Sequence, residues 1–308
     1  MSITLNWNNR GQTVTAVKIY RGTSRMVAST LLTTINSAAI TYTDDTAAND
    51  TLYYYKVALV INGEEVSGSL RPMVAFTNLG PGPTTLISGT AEFGYFGKMT
   101  PLEFFTGSGL RSAVGTAPQY WTSYTTEITW WRKYAYFGKI LYVPDLPIYT
   151  TASANNSAIS ALYTAGMLYG HGKTDKNSII TVAATVQNKK VVKDSYEFLI
   201  KAPSANIYTD PTTSFMNLTP SLDYYQSEGF LLSAPASTYS YSSIASGLAF
   251  PRVTPADTYG ATLGGMVTQH MVTASTFNVH YNYTASRANL NWTATNTIYY
   301  LPILQLVP

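Results

Sequence analysis

The 308-residue sequence predicts a mainly β protein, a β-sandwich at the N-terminus followed by a larger β-rich domain with one or two short helices. Three observations carry that expectation. Short runs of β-branched and aromatic residues alternate with polar ones, the period of two that sends successive side chains to opposite faces of a sheet. Polar turns separate the runs, as in an all-β domain. Apolar residues make up 45% of the chain and charged residues 11%, against about 25% in an ordinary soluble protein, so a core can form and solubility rests on neutral hydroxyls and amides.

In residues 1–77, Ile3, Leu5 and Trp7 alternate with Thr4 and Asn6, and Val17 and Ile19 with Lys18 and Tyr20. Tyr53, Tyr55 and Val57 alternate with Tyr54 and Lys56, and one set of each run is expected to face inward. Segment 78–86 follows, where Pro81 and Pro83 lack amide donors and Gly80 and Gly82 resist ordering. Neither helix nor sheet can continue through it, so it is expected to link the first domain to a second over 87–308. There, Thr100 as a cap with Pro101 at the first helical position predicts a helix over 100–105. A second is predicted over 157–167, with Ile159, Leu162, Tyr163 and Met167 on one face. Strands are predicted at 178–183, 190–193, 196–200 and 298–301. Tyr134, Tyr136 and Ile140 around Gly138-Lys139 predict a hairpin, with Pro144 and Pro147 ending its second strand and the 157–167 helix covering one face.

The chemistry that can be sought in the residues is mostly excluded. A net charge of +3, with no Lys/Arg run longer than a pair, gives no footprint for nucleic acid. With no cysteine there is no disulfide, thiolate metal site or cysteine nucleophile. No apolar stretch approaches the ~18 residues of a membrane span, and the start of the sequence lacks the basic and apolar regions of a signal peptide. Gly170-His171-Gly172-Lys173-Thr174 lacks the glycine spacing and the strand-before, helix-after context of a phosphate loop. His171, His270 and His280 are the only imidazoles and are not spaced as a helical ligand pair. The acidic run from Asp44 to Asp50 lacks the ligand order of a calcium loop and reads as a solvated turn. No pair among the carboxylates of 87–308 stands out for glycoside cleavage, and no Gly-x-Ser-x-Gly elbow is present. The expectation is a non-enzyme, with no catalytic, cofactor-binding or metal-binding residue.

Leu5-Asn6-Trp7, Val17-Lys18-Ile19-Tyr20-Arg21, Ile40-Thr41-Tyr42-Thr43-Asp44 and Thr51-Leu52-Tyr53-Tyr54-Tyr55-Lys56-Val57 together resemble a bacterial-type fibronectin type III module, an Ig-like sandwich. The resemblance implies that Trp7 fills the core and that the Tyr53 hydroxyl ties a corner of the turn before it. It also exposes a departure. Such modules begin with a strand A, whereas here only six residues precede Trp7 and they already form the next strand. Residues Ser2, Ile3, Thr4, Leu5, Asn6 and Trp7 would then present an open edge. Either another chain or the second domain pairs with it, or the polar Thr4 and Asn6 make a short open edge tolerable.

Gly94-Tyr95-Phe96-Gly97, Trp131-Arg132-Lys133-Tyr134 with Gly138-Lys139-Ile140-Leu141-Tyr142-Val143-Pro144, Ala161-Leu162-Tyr163-Thr164-Ala165-Gly166-Met167-Leu168-Tyr169-Gly170 and the closing Pro302-Ile303-Leu304-Gln305-Leu306 are similar, in this order, to tail-associated and other virion structural proteins of tailed bacteriophages. That resemblance implies a structural role on the virion, in tail, collar or capsid decoration. The implied partners are other virion proteins and further copies of the chain, a homo-oligomer with a trimer favoured, assembled in the host cytoplasm. The alternative is a receptor-binding protein that recognises host-surface glycans. The 25 tyrosines bear on both, since a phenol supplies core packing and interface area alike. Tyr224, Tyr225, Tyr239, Tyr241, Tyr281 and Tyr283 are the candidates for a subunit interface or a sugar-binding surface, against a plain role as strand residues.

Overall fold

The computed structural model describes residues 1–36, 38–115, 127–145, 148–151, 155–174, 182–203, 265–273, 276–280, 287–291, 298–300 and 302–308. Seven strands lie in the first 73 residues: β1 (Ile3–Asn6), β2 (Ala16–Gly22), β3 (Thr30–Ile35), β4 (Thr41–Asp44), β5 (Tyr53–Ile61), β6 (Glu64–Ser67) and β7 (Arg71–Met73). β1 pairs with β4 in a two-stranded sheet, and the opposing sheet runs β3-β2-β5-β6, with β7 also pairing β5. Ile3 and Leu5 from one sheet meet Val17, Ile19, Tyr55 and Val57 from the other in a single buried cluster, the inward sets expected from the alternation. The β5–β6 hairpin closes through Asn62 and Gly63, with φ of 53° and 85°, the paired left-handed residues of a tight hairpin turn.

Two expectations for this sandwich need revision. Trp7 does not fill the core but stands half-buried at its margin, and its indole N–H has no hydrogen-bond partner. The acidic turn is not simply solvated. Asp44 is fully buried and accepts hydrogen bonds from Arg21, Tyr55 and Thr46, while Asp50 accepts from the backbone and hydroxyl of Thr77. Tyr53 does reach the turn, where its hydroxyl accepts from the Ala48 N–H at 3.4 Å.

Further along come β8 (Ser88–Gly89), β9 (Phe93–Met99), α1 (Gly107–Val114), β10 (Trp131–Tyr136), β11 (Lys139–Pro144), β12 (Tyr149–Thr151) and α2 (Asn155–Thr164). They are followed by β13 (Lys190–Lys193), β14 (Tyr196–Lys201), β15 (Gly265–Thr273), β16 (Thr276–His280), β17 (Arg287–Asn291), β18 (Ile298–Tyr300) and β19 (Ile303–Leu306). One antiparallel sheet runs β13-β14-β19-β11-β10-β9-β8, and a mixed sheet runs β12-β18-β15-β16-β17, in which β15 and β18 pair in parallel. The strands predicted at 190–193, 196–200 and 298–301 are β13, β14 and β18. Of the segment 178–183, residues 178–181 lie outside the described set and Val182 and Ala183 are not in a strand. The hairpin predicted at Gly138 joins β10 to β11, with Tyr136 opposite Lys139.

The four blocks of the second resemblance converge on one core, in which Phe96, Trp131, Tyr142, Tyr163, Met167 and Leu304 all pack. Phe104 sits at its centre, with ring centroids 5.0 Å from Trp131, 4.5 Å from Tyr142 and 5.0 Å from Phe198. Trp131 donates its indole N–H to the Phe105 carbonyl at 2.7 Å, so the largest side chain of the cluster is buried without an orphaned donor.

The helices differ from expectation in instructive ways. Thr100 and Glu103 do form a reciprocal cap, Glu103 accepting from the Thr100 N–H at 2.7 Å, but only one turn results. Phe104 and Phe105 both turn into the core, and Thr106 caps the separate helix α1 by accepting from the Gly109 N–H at 2.9 Å. α2 ends at Thr164, three residues before the predicted limit. There the Met167 N–H bonds to the Leu162 carbonyl and the Gly166 N–H to the Tyr163 carbonyl, both at 2.9 Å, the paired bonds of a Schellman stop. Gly166 has φ of 73°, and a Cβ there would lie 2.8 Å from the Val186 carbonyl oxygen. Gly166→Ala is therefore expected to destabilise the chain by about 2 kcal/mol, measured by chemical denaturation.

Residues 74–87 carry neither helix nor strand, yet 78–86 is not a free tether. Tyr142 donates its hydroxyl to the Pro81 carbonyl at 2.9 Å, and Lys133, fully buried, donates to the carbonyls of Pro83 at 2.6 Å, Pro81 at 3.1 Å and Gly80 at 3.5 Å. Leu79 and Leu86 pack on the same core. Beyond the segment, Glu92 accepts from the Tyr54 hydroxyl at 2.6 Å and pairs with Arg25 at 3.1 Å, tying β9's approach to the sandwich.

Candidate assembly edge

β1 is short because its sequence allows little more: Ile3 and Leu5 point into the sandwich and Thr4 and Asn6 outward, and after Trp7 the run Asn8-Asn9-Arg10-Gly11 turns away. Arg10 has φ of 51° and Gly11 of 71°, and the Gln12 N–H closes the turn on the Asn9 carbonyl at 2.9 Å. The register opposes Ile3 to Asp44 and Leu5 to Tyr42, and Trp7 donates its backbone N–H to the Ile40 carbonyl at 3.0 Å. In an antiparallel ladder alternate residues bond to the same neighbour, so Ile3, Leu5 and Trp7 face β4 while Thr4 and Asn6 aim their backbone groups the other way.

That other side carries no strand among the described residues. One group on it is occupied: the Arg71 guanidinium, reaching from β7, donates to the Asn6 carbonyl. The guanidinium thus takes the place of the N–H that a neighbouring strand would offer. Of the six residues expected to form the edge, Ser2 is exposed and precedes β1, Ile3 and Leu5 are buried, Thr4 and Asn6 are exposed, and Trp7 is half-buried.

At the far end of this edge opens a cavity of about 400 Å³. Trp7, Asn9, Arg10 and Arg71 form its polar wall, and Val57, Leu59 and Ile61 of β5 its floor. With only two strands in one sheet and more in the other, the inner face of β5 is left partly uncovered here: Leu59 and Ile61 remain half-exposed. Asn9 donates its amide to the Ala38 carbonyl at 3.0 Å, which fixes the side chain's orientation and leaves its buried Oδ1 without a donor. Sequence reasoning missed this cavity, since its walls come from residues 7–12 and 57–71, far apart in the chain with no local pattern to mark them.

Tyr224, Tyr225, Tyr239, Tyr241, Tyr281 and Tyr283 all lie outside the described residues. Tyrosines that are described, among them Tyr55, Tyr95, Tyr134, Tyr142, Tyr163 and Tyr300, are largely core residues. The carboxylates considered for glycoside cleavage serve the fold where described. Glu103 and Glu127 accept backbone N–H groups at the starts of turns or helices, Asp145 accepts from the N–H groups of Thr129 and Trp130, and Glu197 pairs with Lys190. His171 stacks on Tyr169 at 5.2 Å, while His270 lies on β15 and His280 on the neighbouring β16. Among the described residues no group of three or more metal-ligating side chains comes together, and no helix is long and apolar enough to cross a membrane.

No protein-family model, curated protein or solved structure matches the chain.

Proposed function

We propose that the chain is a non-enzymatic structural component of a tailed-bacteriophage particle, an appendage or decoration of tail, collar or capsid, that assembles through strand pairing at β1. The observation that carries the reading is the edge of β1 that no strand among the described residues pairs, its Asn6 carbonyl capped by a side chain. An open edge is a template for another chain, and proteins that do not use one normally cover or distort it. The resemblance of the ordered aromatic and glycine blocks to those of virion proteins supports the same reading, as does a chain poor in charge and without cysteine. Copies of the chain are the first partners, in a trimer, with other virion proteins beyond them.

Thr4→Pro tests the edge directly. The Thr4 N–H faces away from β4, so proline there removes a donor from the open side and leaves the β1–β4 ladder intact. Light scattering after size-exclusion chromatography should find a trimer for the native chain and a monomer of unchanged circular dichroism for the variant. A native monomer, together with absence of the chain from density of purified particles, would overturn the proposal. Binding of the native chain on a glycan array, unaffected by Thr4→Pro, would favour the adhesion reading instead.

A further inference from the structure

The cavity at the end of β1 has a chemistry more specific than that of an open edge. Its floor is aliphatic, from Val57, Leu59 and Ile61. Its wall brings two guanidinium groups, Arg10 and Arg71, and no carboxylate lines it. Neither arginine has a carboxylate partner among the described residues, whereas Arg21, Arg25 and Arg111 are each ion-paired. Two further polar atoms on the wall are buried and unpartnered, the Trp7 indole N–H, a donor, and the Asn9 Oδ1, an acceptor. A buried donor or acceptor without a partner carries an uncompensated desolvation cost, which an arriving group that satisfies both would recover.

Resting on the assembly reading above, we propose that this cavity receives an acidic β-strand of a partner chain. The strand adds to β1 at Thr4 and Asn6, drops an aliphatic side chain onto the Val57–Leu59–Ile61 floor and presents an Asp or Glu carboxylate to Arg10 and Arg71. An extended strand fits because the cavity continues the open edge: Arg71 both lines it and bonds the outward carbonyl of Asn6. In the free chain Arg71 stands in for the missing strand's N–H. When the strand arrives, its own N–H takes the Asn6 carbonyl and the guanidinium turns to the carboxylate, an exchange that replaces a neutral acceptor by a charged one. A backbone carbonyl of the strand accepts from Trp7, and a backbone N–H donates to Asn9. Strand addition gives affinity through the main chain and specificity through alternate side chains, here one apolar and one acidic.

The test uses the full chain and a blocked peptide of alternating threonine and valine that ends in glutamate, beside the same peptide with glutamine in that place. Binding is followed at the indole N–H resonance of Trp7 in nitrogen-15 spectra, assigned by its loss in Trp7→Phe. The acidic peptide should shift that resonance and bind about tenfold more tightly than the glutamine peptide, a difference that shrinks with added salt. Arg10→Asn removes one charge at a turn position whose positive φ asparagine tolerates, and should erase most of the preference. Thr4→Pro should weaken both peptides alike. Equal binding of the two peptides, or a Trp7 shift produced by glucuronate or neutral glucose and not by either peptide, would overturn the proposal. A trimer that Thr4→Pro dissociates would, in that event, leave the assembly reading standing without this partner.

Discussion

Asp44→Ala is expected to destabilise the N-terminal sandwich by about 3–5 kcal/mol, the range for breaking a buried ion pair by removing one partner. Asp44 has no exposed surface. One carboxylate oxygen accepts from Arg21 at 2.8 Å and from the Tyr55 hydroxyl at 2.7 Å, and the other from the Thr46 N–H at 2.9 Å and its hydroxyl at 2.7 Å. Alanine would leave a phenol and a guanidinium facing each other across an empty space. Asp44→Asn keeps the shape and loses the charge, and is expected to cost about half as much. Denaturation curves for the three proteins supply the measurement.

The same cluster sets a pH dependence. Burial alone would raise the Asp44 pKa, but the hydrogen bonds from Thr46 and Tyr55 and the charge of Arg21 together outweigh it and hold the group below 3.8. A carboxylate with a folded pKa below its unfolded value stabilises the fold above the unfolded value, and that stabilisation is lost as pH falls through the folded one. The stability gap between the native protein and Asp44→Asn should therefore be full at neutral pH and close below pH 3.8. A gap that stays constant from neutral to strongly acidic pH would show that the charge on Asp44 contributes nothing. At the alkaline end the phenol of Tyr55, pushed far above 10.0 by burial and then by its bond to Asp44, remains a donor throughout.

Why this cluster escaped the sequence reading is a matter of distance. Arg21 is 23 residues from Asp44 and belongs to the opposing sheet, so nothing local distinguishes Asp44 from its neighbour Asp45, which does face water. Local pattern was sufficient where one face of a strand is buried and the other wet, as at Ile3 and Leu5 or Val17 and Ile19, and where a turn residue has a fixed backbone role, as at Gly138. It failed at α1. α1 begins with glycine at 107 and again at 109, residues that speak against a helix until the Thr106 cap and the burial of Leu110 and Val114 are seen. β10 was reached only through its turn at Gly138, because it is buried along its whole length and alternation carries no information about it, its second and third positions being the cations Arg132 and Lys133. The cavity beside β1 was not legible, since Trp7, Leu59 and Arg71 meet only once the sandwich has closed.

Lys133→Met is expected to leave stability near that of the native protein at pH 7 and to lower it by about 3 kcal/mol at pH 10.5, a difference that follows from what surrounds the amine. Burial pushes the Lys133 pKa from 10.5 down to about 8. The side chain has no carboxylate partner among the described residues. It is held by the carbonyls of Gly80, Pro81 and Pro83 and lies 5.1 Å from the ring of Phe96 and 5.7 Å from that of Tyr142. Below pH 8 the group is charged in both states, and the fold bears the penalty of desolvating it. Between 8 and 10.5 the unfolded chain keeps a proton that the folded chain has released, so the unfolding free energy rises with pH at ~1.4 kcal/mol per pH unit. Methionine fills the same space without a proton to lose. At neutral pH it forfeits the three hydrogen bonds and escapes the desolvation penalty, two effects of similar size; at high pH only the loss remains, because the neutral amine still donates. Lys133→Ala forfeits the packing too and should be about 3 kcal/mol less stable already at pH 7. If the gap between the native protein and Lys133→Met is the same at both pH values, the amine is not desolvated, and the 78–86 segment is held to β10 by packing and Tyr142 alone.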